Sequence, residues 1–498
     1  MKLHNPAVDF YEIKQESKVL DFLPDIPFEE YLYSEALPQK YLSITDFGAS
    51  QNADYNVNTR AVNEAISVAS ENGGGVVLIP EGVFVTSTII LKSNVTLFVK
   101  GTLKCVDYET NLKADEKLSR DVFIDKFSKD SSNCGGYIFS DGAENITICG
   151  GGRIDGSGAS FCKEAESPEL LLPLEKFHLK SYIMAFRNRI RFEKENSGRV
   201  NLVELTNGKN IDIHNIEFYE SGRWTCNLFE CKNIKIEDVV INSNFHVANT
   251  DGFDLSCCQN ARINHCFIAT GDDALCIKGN GNMDNENILI ENCKAMSLAN
   301  CFKIGTTIIR NVKNVTVRNC EFFMKDTTGG YAGISIESDM GGVVENITAE
   351  NITMDGVTSP FVVWLGNRYG STPGAMKNVT IKNIIAKNVS LPSAVTGTCF
   401  KGKTYKPENI SIKNVKVEYR DSEEEIYVRP CGVGLEAMDE YPEITRLSSI
   451  YISSHEESPY WELPAYGMYV RYTENLLLEN FSCIPRSCNK RQEFFFEE

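Results

Sequence analysis

The chain repeats one short phrase along most of its length: an asparagine, then alternating aliphatic residues, and often a closing asparagine or aspartate. Eight copies begin at Asn210, Asn233, Asn260, Asn287, Asn314, Asn346, Asn378 and Asn409. Their starts lie 23, 27, 27, 27, 32, 32 and 31 residues apart, and further copies begin at Asn145 and Asn475. This regularity predicts a fold built from stacked copies of one unit.

Each copy of the phrase predicts a β-strand, because its apolar residues alternate with a period of two. The interval between copies is too short to hold a helical crossover and a second strand comfortably. Three short strands joined by turns fit the interval, and stacking such coils gives a parallel β-helix. We therefore predict an all-β fold, a parallel β-helix or solenoid in which each repeat is one coil.

Stacking places equivalent residues of successive coils above one another, so the asparagines that begin the strands are expected to form side-chain ladders. Two of them, Asn314 and Asn378, also begin glycosylation sequons with Thr316 and Thr380. We interpret both as turn residues rather than glycosylation sites.

A helix is predicted ahead of the coils, in "NTRAVNEAISVAS", with Asn58 as its N-cap and apolar residues at helical spacing from Ala61 onward. We expect this capping helix to cover the open end of the first coil. The predicted organisation is an N-terminal extension at 1–41, a β-helix catalytic domain at 42–484 and a C-terminal tail at 485–498. A loop excursion is expected at about 421–463, which is acidic and irregular.

Charge and hydropathy argue against nucleic acid and membrane partners. The formal net charge is −18, whereas nucleic-acid binding depends mainly on lysine and arginine. No apolar run approaches the roughly 18 residues that span a bilayer. The first twenty residues scatter charges where a signal peptide would be apolar, which predicts no secretion signal.

The 17 cysteines are predicted to be small core residues, since most fall in strand-like runs and none forms a C-x-x-C pair. Free thiols and the absence of a predicted signal favour a cytoplasmic location. The sequence does not indicate an oligomeric state.

Three aspartates, Asp251, Asp272 and Asp273, lie among strand-like stretches, where aspartate is disfavoured. Asp251 precedes Asp272 by 21 residues, about one coil, so the two are expected on neighbouring coils. Gly271 is expected to supply the bend that turns Asp273 into the same cleft. Carboxyl groups so close raise the pKa of at least one of them, which gives the proton donor and base that glycoside hydrolysis requires. Turn residues or a calcium site are the alternatives.

The segments "NTDG" at 249–252 and "GDD" at 271–273, the latter followed by "ALCIK", resemble the signatures of the polygalacturonase family, glycoside hydrolase family 28. "ITDFGA", "FVVWLGNRYG" and "LPAYGMYVR" are similar to its bacterial pectin-degrading branch. The resemblance implies a right-handed parallel β-helix that hydrolyses pectic α-linkages with inversion. By position it implies that Asp272 is the general acid, that Asp251 and Asp273 activate water, and that Asn249 orients Asp251.

The chain departs from the family pattern at two places. The family's Gly-His-Gly motif falls at "ANCFKIGT", which puts Asn300 at the histidine position. Its Arg-Ile-Lys motif falls at "GISIES", which puts Ser335 and Glu337 where two cations would hold a uronate. Glu337 suits the hydroxyl groups of a neutral or deoxy sugar such as rhamnose.

Other side chains are expected to line the substrate cleft. Those that could replace the missing cations are Lys303, Lys278, Arg368 and Arg471. Lys303 is the best placed, since it lies one coil after the aspartates. His246, shortly before Asn249, is a candidate to line the same cleft, and a packed or surface histidine is the alternative.

The predicted function is that of an inverting glycoside hydrolase acting on pectin-derived oligosaccharides, at galacturonide or rhamnogalacturonan-type linkages, without metal or other cofactor. A cytoplasmic enzyme would meet imported fragments, which favours exo-action. The alternatives are a β-helix polysaccharide lyase, with calcium and a lysine or arginine base, and a carbohydrate-binding β-helix protein that catalyses nothing.

Overall fold

A computed structural model describes residues 26–107, 109–110, 135–164, 191–193, 199–243, 249–323, 332–367, 371–389, 392–419, 465–485 and 492–497. His246, Arg368 and the predicted excursion at 421–463 lie outside the described residues.

Among the described residues the strands are accompanied by two helices, α1 (Phe28–Tyr31) and α2 (Tyr55–Glu71), and by two single 3₁₀ turns, Ile44–Phe47 and Gly158–Phe161. The first strands are β1 (Leu42–Ser43), β2 (Gly75–Ile79), β3 (Val83–Thr86), β4 (Ile89–Ile90), β5 (Val95–Val99), β6 (Thr102–Cys105), β7 (Gly136–Asp141), β8 (Glu144–Cys149), β9 (Arg153–Asp155), β10 (Cys162–Glu164), β11 (Arg191–Glu193) and β12 (Asn201–Thr206). The middle strands are β13 (Lys209–Tyr219), β14 (Cys226–Phe229), β15 (Lys232–Asn242), β16 (Phe253–Ser256), β17 (Gln259–Asn264), β18 (Phe267–Thr270), β19 (Leu275–Gly279), β20 (Asn285–Glu291), β21 (Lys294–Ser297), β22 (Asn300–Ile308), β23 (Val312–Phe323) and β24 (Ala332–Ser338). The last strands are β25 (Val343–Asp355), β26 (Ser359–Leu365), β27 (Ala375–Val389), β28 (Ser393–Thr396), β29 (Thr398–Phe400), β30 (Lys403–Tyr405), β31 (Glu408–Tyr419), β32 (Ala465–Arg471), β33 (Glu474–Ile484) and β34 (Gln492–Glu497).

Nearly all strands pair in parallel with the equivalent strand of the next repeat. One twelve-stranded sheet runs β4-β7-β12-β14-β16-β19-β22-β24-β26-β28-β32-β34, and the main run of an eighteen-stranded sheet continues β13-β15-β17-β20-β23-β25-β27-β31-β33. Among the described strands only β10–β11 and β29–β30 pair antiparallel. The predicted all-β class and parallel pairing are confirmed. The twelve-stranded sheet carries the aspartates.

Asparagine side chains form a continuous ladder along the stack. Within the described residues it runs from Asn94 to Asn475, and each side-chain amide donates to the asparagine of the preceding repeat at 2.7–3.3 Å. Every member has a left-handed backbone, with φ of 55–64°, which asparagine tolerates better than other non-glycine residues. The predicted ladder is confirmed, and a second one runs from Asn264 to Asn480. Asn314 and Asn378, the two sequon residues, belong to the first ladder.

The predicted helix is present as α2, but its N-cap is Asp54, whose carboxylate accepts a hydrogen bond from the Asn56 N–H at 2.8 Å. Asn58 is instead buried inside the helix, where it accepts from the Ser50 N–H and donates to the Val85 carbonyl. An asparagine side chain can either cap a helix or hydrogen-bond from within it. Here the helix begins earlier than predicted, because Asp54, four residues before Asn58, is the N-cap.

One apolar core runs through the stack and includes the buried face of α2, with Ala61, Val62 and Ile66 at 0% exposure. The described cysteines are free thiols and most are buried, as predicted, including Cys226, Cys276 and Cys320. Within the described part of the chain, no helix has the length and apolarity needed to cross a bilayer.

Both predicted end segments contain structure. In the N-terminal one, α1 buries Tyr31 in a small cluster with Phe267 and Met296. In the C-terminal one, β34 pairs in parallel with β32 and so adds the last strand of the twelve-stranded sheet.

We predict that Asn378→Ala lowers the free energy of unfolding by about 2 kcal/mol, because alanine loses the two ladder hydrogen bonds and is strained at positive φ. Asn378→Gly, which tolerates that backbone, should cost about half as much. The midpoints of urea denaturation measure both. Equal costs for the two variants would contradict a backbone contribution.

Candidate active site

The register of the twelve-stranded sheet brings the acidic residues together. The paired residues on strands β14, β16, β19 and β22 are Cys226, Phe253, Leu275 and Phe302. Two residues before each of these, and therefore on consecutive repeats, lie Trp224, Asp251, Asp273 and Asn300. Asp251 is thus stacked beside Asp273, not beside Asp272 as the spacing of 21 residues suggested.

The carboxyl groups of the three aspartates converge. One oxygen each of Asp251, Asp272 and Asp273 lies within 4.8 Å of the others. Asp251 and Asp273 are 3% and 6% exposed, whereas Asp272 is only half-buried. Gly252 allows the close approach of the two strands, since a Cβ there would lie 2.3 Å from the Ala274 carbonyl oxygen.

Asp272 reaches the same place because the chain bends just before β19. Thr270 Oγ1 and Ser297 Oγ both donate to the Asp272 carbonyl at 2.6 Å. The Gly271 N–H donates to Thr250 Oγ1 at 3.2 Å. Gly271 is not among the described glycines with positive φ, so the expected role of a left-handed glycine is wrong and hydroxyl hydrogen bonds hold the bend.

The carboxylate of Asp272 is oriented by backbone amides. The Asn249 N–H donates to Oδ2 at 3.0 Å, and the Asp273 N–H donates to Oδ1 at 3.0 Å. The contact that the structure shows for Asn249 is therefore with Asp272, made by its backbone. Asn249 itself is exposed and has φ of 59°.

Lys278 lies between two buried carboxyl groups, Asp251 at 3.2 Å and Asp254 at 3.1 Å. Burial and then the neighbouring Asp254 raise the pKa of Asp251 well above its usual value, while Lys278 opposes the rise. Burial likewise raises the pKa of Asp254 to about 6. Burial alone would lower the pKa of Lys278, but Asp254 and Asp251 hold it well above its usual value. Repulsion by Asp272 and Asp273 is thus a minor cause of the raised pKa of Asp251.

Asp254 was missed by sequence reasoning. It lies on β16 in register with Cys276 and, one repeat further, with Lys303. Its signal in the sequence is its position three residues after Asp251, between the apolar residues Phe253 and Leu255.

Asp273 is held by the next repeat. Asn300 donates to Asp273 Oδ1 from its backbone N–H at 3.1 Å and from Nδ2 at 2.8 Å. Lys303 Nζ lies 3.7 Å from Asp273 Oδ2 and 3.3 Å from Glu337 Oε1. Glu337 also accepts from Ser335 Oγ at 2.7 Å and is fully buried. Lys303 does face the aspartates, as expected, but its ammonium group is also paired with the Glu337 carboxylate.

Arg223 and Trp224 are further neighbours that the sequence reasoning missed. Lys278 Nζ lies 4.8 Å from the centroid of the Trp224 ring, and the Arg223 guanidinium lies 5.3 Å from it. Burial lowers the pKa of Arg223, and Asp251 and Asp254 oppose this. The sequence signal for these two residues is the segment "GRW" at 222–224, which lies one repeat before "TDG" at 250–252.

One other predicted substrate residue, Arg471, lies away from the aspartates. Arg471 is buried and stacks on Tyr472, with its guanidinium carbon 4.6 Å from the ring centroid. It is in register with Thr396, which follows Trp364 and Glu337 on successive strands. At about 4.8 Å per strand, Arg471 lies roughly 14 Å from Glu337. Arg368 and His246 lie outside the described residues.

The site is strongly acidic even after ion pairing. It combines five carboxyl groups with three cationic groups: Asp251, Asp254, Asp272, Asp273 and Glu337 against Lys278, Lys303 and Arg223. Two negative charges remain if every group is ionised, so burial favours holding protons on some of the carboxyls.

The three aspartates also have the spacing of cation ligands. Lys278 and Lys303 already place an ammonium group 3.2 Å from Asp251 and 3.7 Å from Asp273. A calcium ion takes six to eight oxygen ligands and would be repelled by both ammonium groups. The donor set therefore fits proton chemistry better than calcium binding.

Comparison with known proteins places this geometry in context. The model of the family described as glycosyl hydrolases family 28 matches residues 76–433. A probable polygalacturonase of Vitis vinifera is 24% identical over 351 residues, which cover 66% of this chain and 63% of that relative. An endo-polygalacturonase of Pectobacterium carotovorum subsp. carotovorum is 25% identical over 375 residues, which cover 73% of this chain and 85% of that relative.

Among solved structures, a hyperthermoactive exopolygalacturonase from Thermotoga maritima matches with a TM-score of 0.60 and 24% identity, over 79% of this chain and 90% of that chain. This likeness concerns the fold.

We predict that the free energy of unfolding of Asp254→Asn rises relative to that of the wild type as the pH rises from 4 to 7. The pKa of Asp254 is raised from its usual 3.8 to about 6, so its contribution to stability is complete below pH 4 and is lost as the pH rises through 6. The difference in unfolding free energy between the two proteins should shift by about 3 kcal/mol.

Urea denaturation at several pH values measures this shift, and Asp46→Asn, at an exposed aspartate, is the control. A difference between wild type and Asp254→Asn that stays constant with pH would contradict the raised pKa of Asp254.

Proposed function

Since the chain belongs to family 28 of the glycosyl hydrolases, and is thus a glycoside hydrolase, we propose that it cleaves pectin-derived oligosaccharides with inversion at the anomeric carbon. The observation that carries the proposal is the convergence of three aspartate carboxyl groups within 4.8 Å. Their environments differ, and hydrolysis of a glycosidic bond needs one proton donor and one base.

Asp272 is the general acid in this proposal. It is the most accessible of the three aspartates, so it is the one that a glycosidic oxygen reaches first. Two backbone N–H groups hold its carboxyl in one orientation. A general acid must sit within hydrogen-bond reach of the leaving oxygen, and a fixed orientation at the open side of the site supports that role.

Asp273 and Asp251 together are the base. Two hydrogen bonds from Asn300 and the ammonium of Lys303 stabilise negative charge on Asp273. Oδ1 of Asp251 is buried and has no hydrogen-bond partner among the described residues, so it can accept from the attacking water. Because the pKa of Asp251 is raised, Asp251 positions the water and Asp273 accepts the proton from it.

The family resemblance implies inversion, whereas the short distance between the carboxyl groups is closer to that of retaining enzymes. Inverting glycosidases commonly separate their carboxyl groups by about 6.5–9.5 Å, and retaining ones by about 5–5.5 Å. The oxygens here lie within 4.8 Å. We propose inversion nevertheless, because both oxygens of Asp273 face hydrogen-bond donors or a cation, which leaves it poorly suited to attack carbon.

The sugar next to Lys303 and Glu337 is proposed to be neutral. Glu337 lies 3.3 Å from the Lys303 ammonium. It therefore already pairs with the cation that a uronate carboxylate would need. A uronate would add a further negative charge to an already acidic site. A neutral sugar adds no charge beside Glu337 and Asn300, which are both buried. This supports rhamnogalacturonan-type linkages.

Arg471 is proposed to bind a more distant sugar, because its position along the same sheet is several strands from Glu337. Exo-action and a cytoplasmic location are part of the proposal. The thirteen described cysteines, all free thiols, support a reducing compartment. The Thermotoga maritima exopolygalacturonase and the Pectobacterium carotovorum endo-polygalacturonase represent the two modes of attack among the similar proteins.

The form of the fold belongs to the same proposal: a right-handed parallel β-helix at 42–484 whose first coil is covered by α2. Parallel pairing of equivalent strands and the burial of α2 in the common core support it. The likeness in fold to the Thermotoga maritima protein supports it as well.

We predict that Asp272→Asn lowers kcat on pectic oligosaccharides by a factor of about 10²–10⁴, since asparagine cannot donate the proton that the leaving group needs. A nitrophenyl glycoside of the same sugar, whose leaving group needs little protonation, should lose far less activity in this variant. Asp273→Asn, which removes the base, should lose activity equally on both substrates. Initial rates on the two substrates measure the contrast.

Equal losses on both substrates for Asp272→Asn would contradict its role as the acid. Proton NMR of the wild-type product identifies the anomer formed first, and a retained anomer would contradict the assignment of Asp251 and Asp273 as bases. Sugar binding without turnover by the wild type would favour the carbohydrate-binding alternative.

We predict that the wild type has a higher kcat/KM on oligosaccharides containing neutral sugars than on galacturonate oligomers of equal length. Glu337→Gln frees the Lys303 charge and should shift the ratio of the two kcat/KM values about tenfold toward the galacturonate oligomers. Glu345→Gln, which removes the partly exposed partner of Lys313, is the matched control and should leave the ratio unchanged. An unchanged ratio in Glu337→Gln would refute the neutral subsite.

A further inference from the structure

We propose that Cys149, His214 and Glu35 form a second site, separate from the aspartates, that binds one transition-metal ion such as Zn²⁺. One sulfur, nitrogen or oxygen atom from each residue lies within 4.8 Å of the others. Ile148 on β8 pairs with Ile213 on β13, so Cys149 and His214 follow as neighbours on consecutive repeats of the eighteen-stranded sheet. The proposal does not depend on the hydrolase function.

The His214 ring is oriented as a metal ligand would be. Its Nδ1 lies 2.9 Å from Asp212 Oδ1, and because a carboxylate can only accept, Nδ1 carries the proton. The other nitrogen, Nε2, faces Glu35 Oε1 at 3.6 Å. Metal-bound histidines almost always donate their second ring N–H to a carboxylate or carbonyl in this way, which fixes the ring and its tautomer.

Glu35 is held in position by Asn215, which follows His214. Asn215 Nδ2 donates to Glu35 Oε2 at 3.0 Å and to the Tyr33 carbonyl at 3.0 Å. Asn215 Oδ1 accepts from the Tyr33 N–H, and Lys100 Nζ donates to the Glu35 carbonyl at 2.6 Å. These bonds engage Oε2 and the backbone of Glu35, and they leave Oε1 turned toward His214.

The three donors suit a borderline-soft ion with an open fourth position. Thiolate, imidazole and carboxylate are the ligands that Zn²⁺ takes in proteins, and three protein ligands leave one place for water. Cys149 is 2% exposed, so an external organic substrate has little access to its sulfur. The side chains of His214 and Glu35 are 21% and 25% exposed, which lets an ion enter from their side.

The surrounding charges favour a cation over an isolated imidazolium ion pair. Asp212 and Glu35 flank His214, and Glu237 is its register partner on β15. Lys235 lies 2.9 Å from Glu237 and compensates that carboxylate. Without a metal, His214 lies between two carboxylates and also hydrogen-bonds the Cys149 side chain. A bound ion would take the place of the hydrogen bond between His214 and the thiol. A bound ion would link the segment containing Glu35 to strands β8 and β13.

The test is titration of the metal-free full chain with Co²⁺ and Zn²⁺. We expect one equivalent of Co²⁺ to give a thiolate-to-cobalt charge-transfer absorption, and Zn²⁺ to displace it and raise the melting temperature. Cys149→Ser should lose this absorption and weaken Zn²⁺ binding by a factor on the order of 100. Glu35→Gln should retain the absorption and weaken Zn²⁺ binding by a factor on the order of 10, and it serves as the second variant if Cys149→Ser does not fold.

Cys276→Ser is the matched control, because Cys276 supplies the thiol of another described group with ligand spacing, formed with Asp251 and Asp254. It should leave the absorption and the Zn²⁺ affinity unchanged. The proposal is overturned if the wild type gives no thiolate absorption with Co²⁺, if the absorption survives in Cys149→Ser, or if Cys276→Ser abolishes it. Circular dichroism of each variant confirms that it is folded.

Discussion

Parallel, in-register stacking of the repeats is the constraint on which the rest of the molecule depends. Side chains of a strand alternate between its two faces, so a slip of one residue would turn every outward side chain inward. The asparagine ladders oppose such a slip, because each amide meets the next at one position per repeat. The stack of Asp251, Asp273 and Asn300 is a consequence of that register and would be lost with it.

Two lysines make it possible to bury so many carboxyl groups. Lys278 lies between Asp251 and Asp254, and Lys303 lies between Asp273 and Glu337. A buried charge without a partner is costly, so these contacts stabilise the site as well as shape it. The same pairing makes both ammonium groups less available to a substrate carboxylate. Stability of the site and the proposed discrimination against uronates at this position therefore have one physical origin.

Much of the fold could be predicted from the sequence, because it follows from local rules that repeat many times. Period-two apolar residues and recurrent asparagines predicted parallel strands and a ladder, and both are present. The convergence of three aspartates was expected from the repeat, although the neighbour of Asp251 on the next repeat is Asp273 and not Asp272. Single-copy details could not be predicted in this way, since each depends on one competing residue. Asp54 caps α2 in place of Asn58, and hydroxyl groups form the bend that Gly271 was expected to make.

The site's electrostatics were the least predictable part, because they depend on contacts between repeats and not on spacing within one. Glu337 is 34 residues from Lys303 in the sequence, yet adjacent strands place the two 3.3 Å apart. Equivalent residues of successive repeats form a column along the sheet. A column of one residue type, such as the asparagine ladder, stabilises the stacking of the repeats. A column whose members differ in charge, such as Asp254, Cys276 and Lys303, does not repeat one contact from strand to strand. On the other sheet, Cys149 and His214 also lie in a column of unlike residues, because the residue paired with Cys149 on the repeat before is the apolar Phe98. In a stacked fold, chemistry is therefore best sought where neighbouring repeats stop resembling one another.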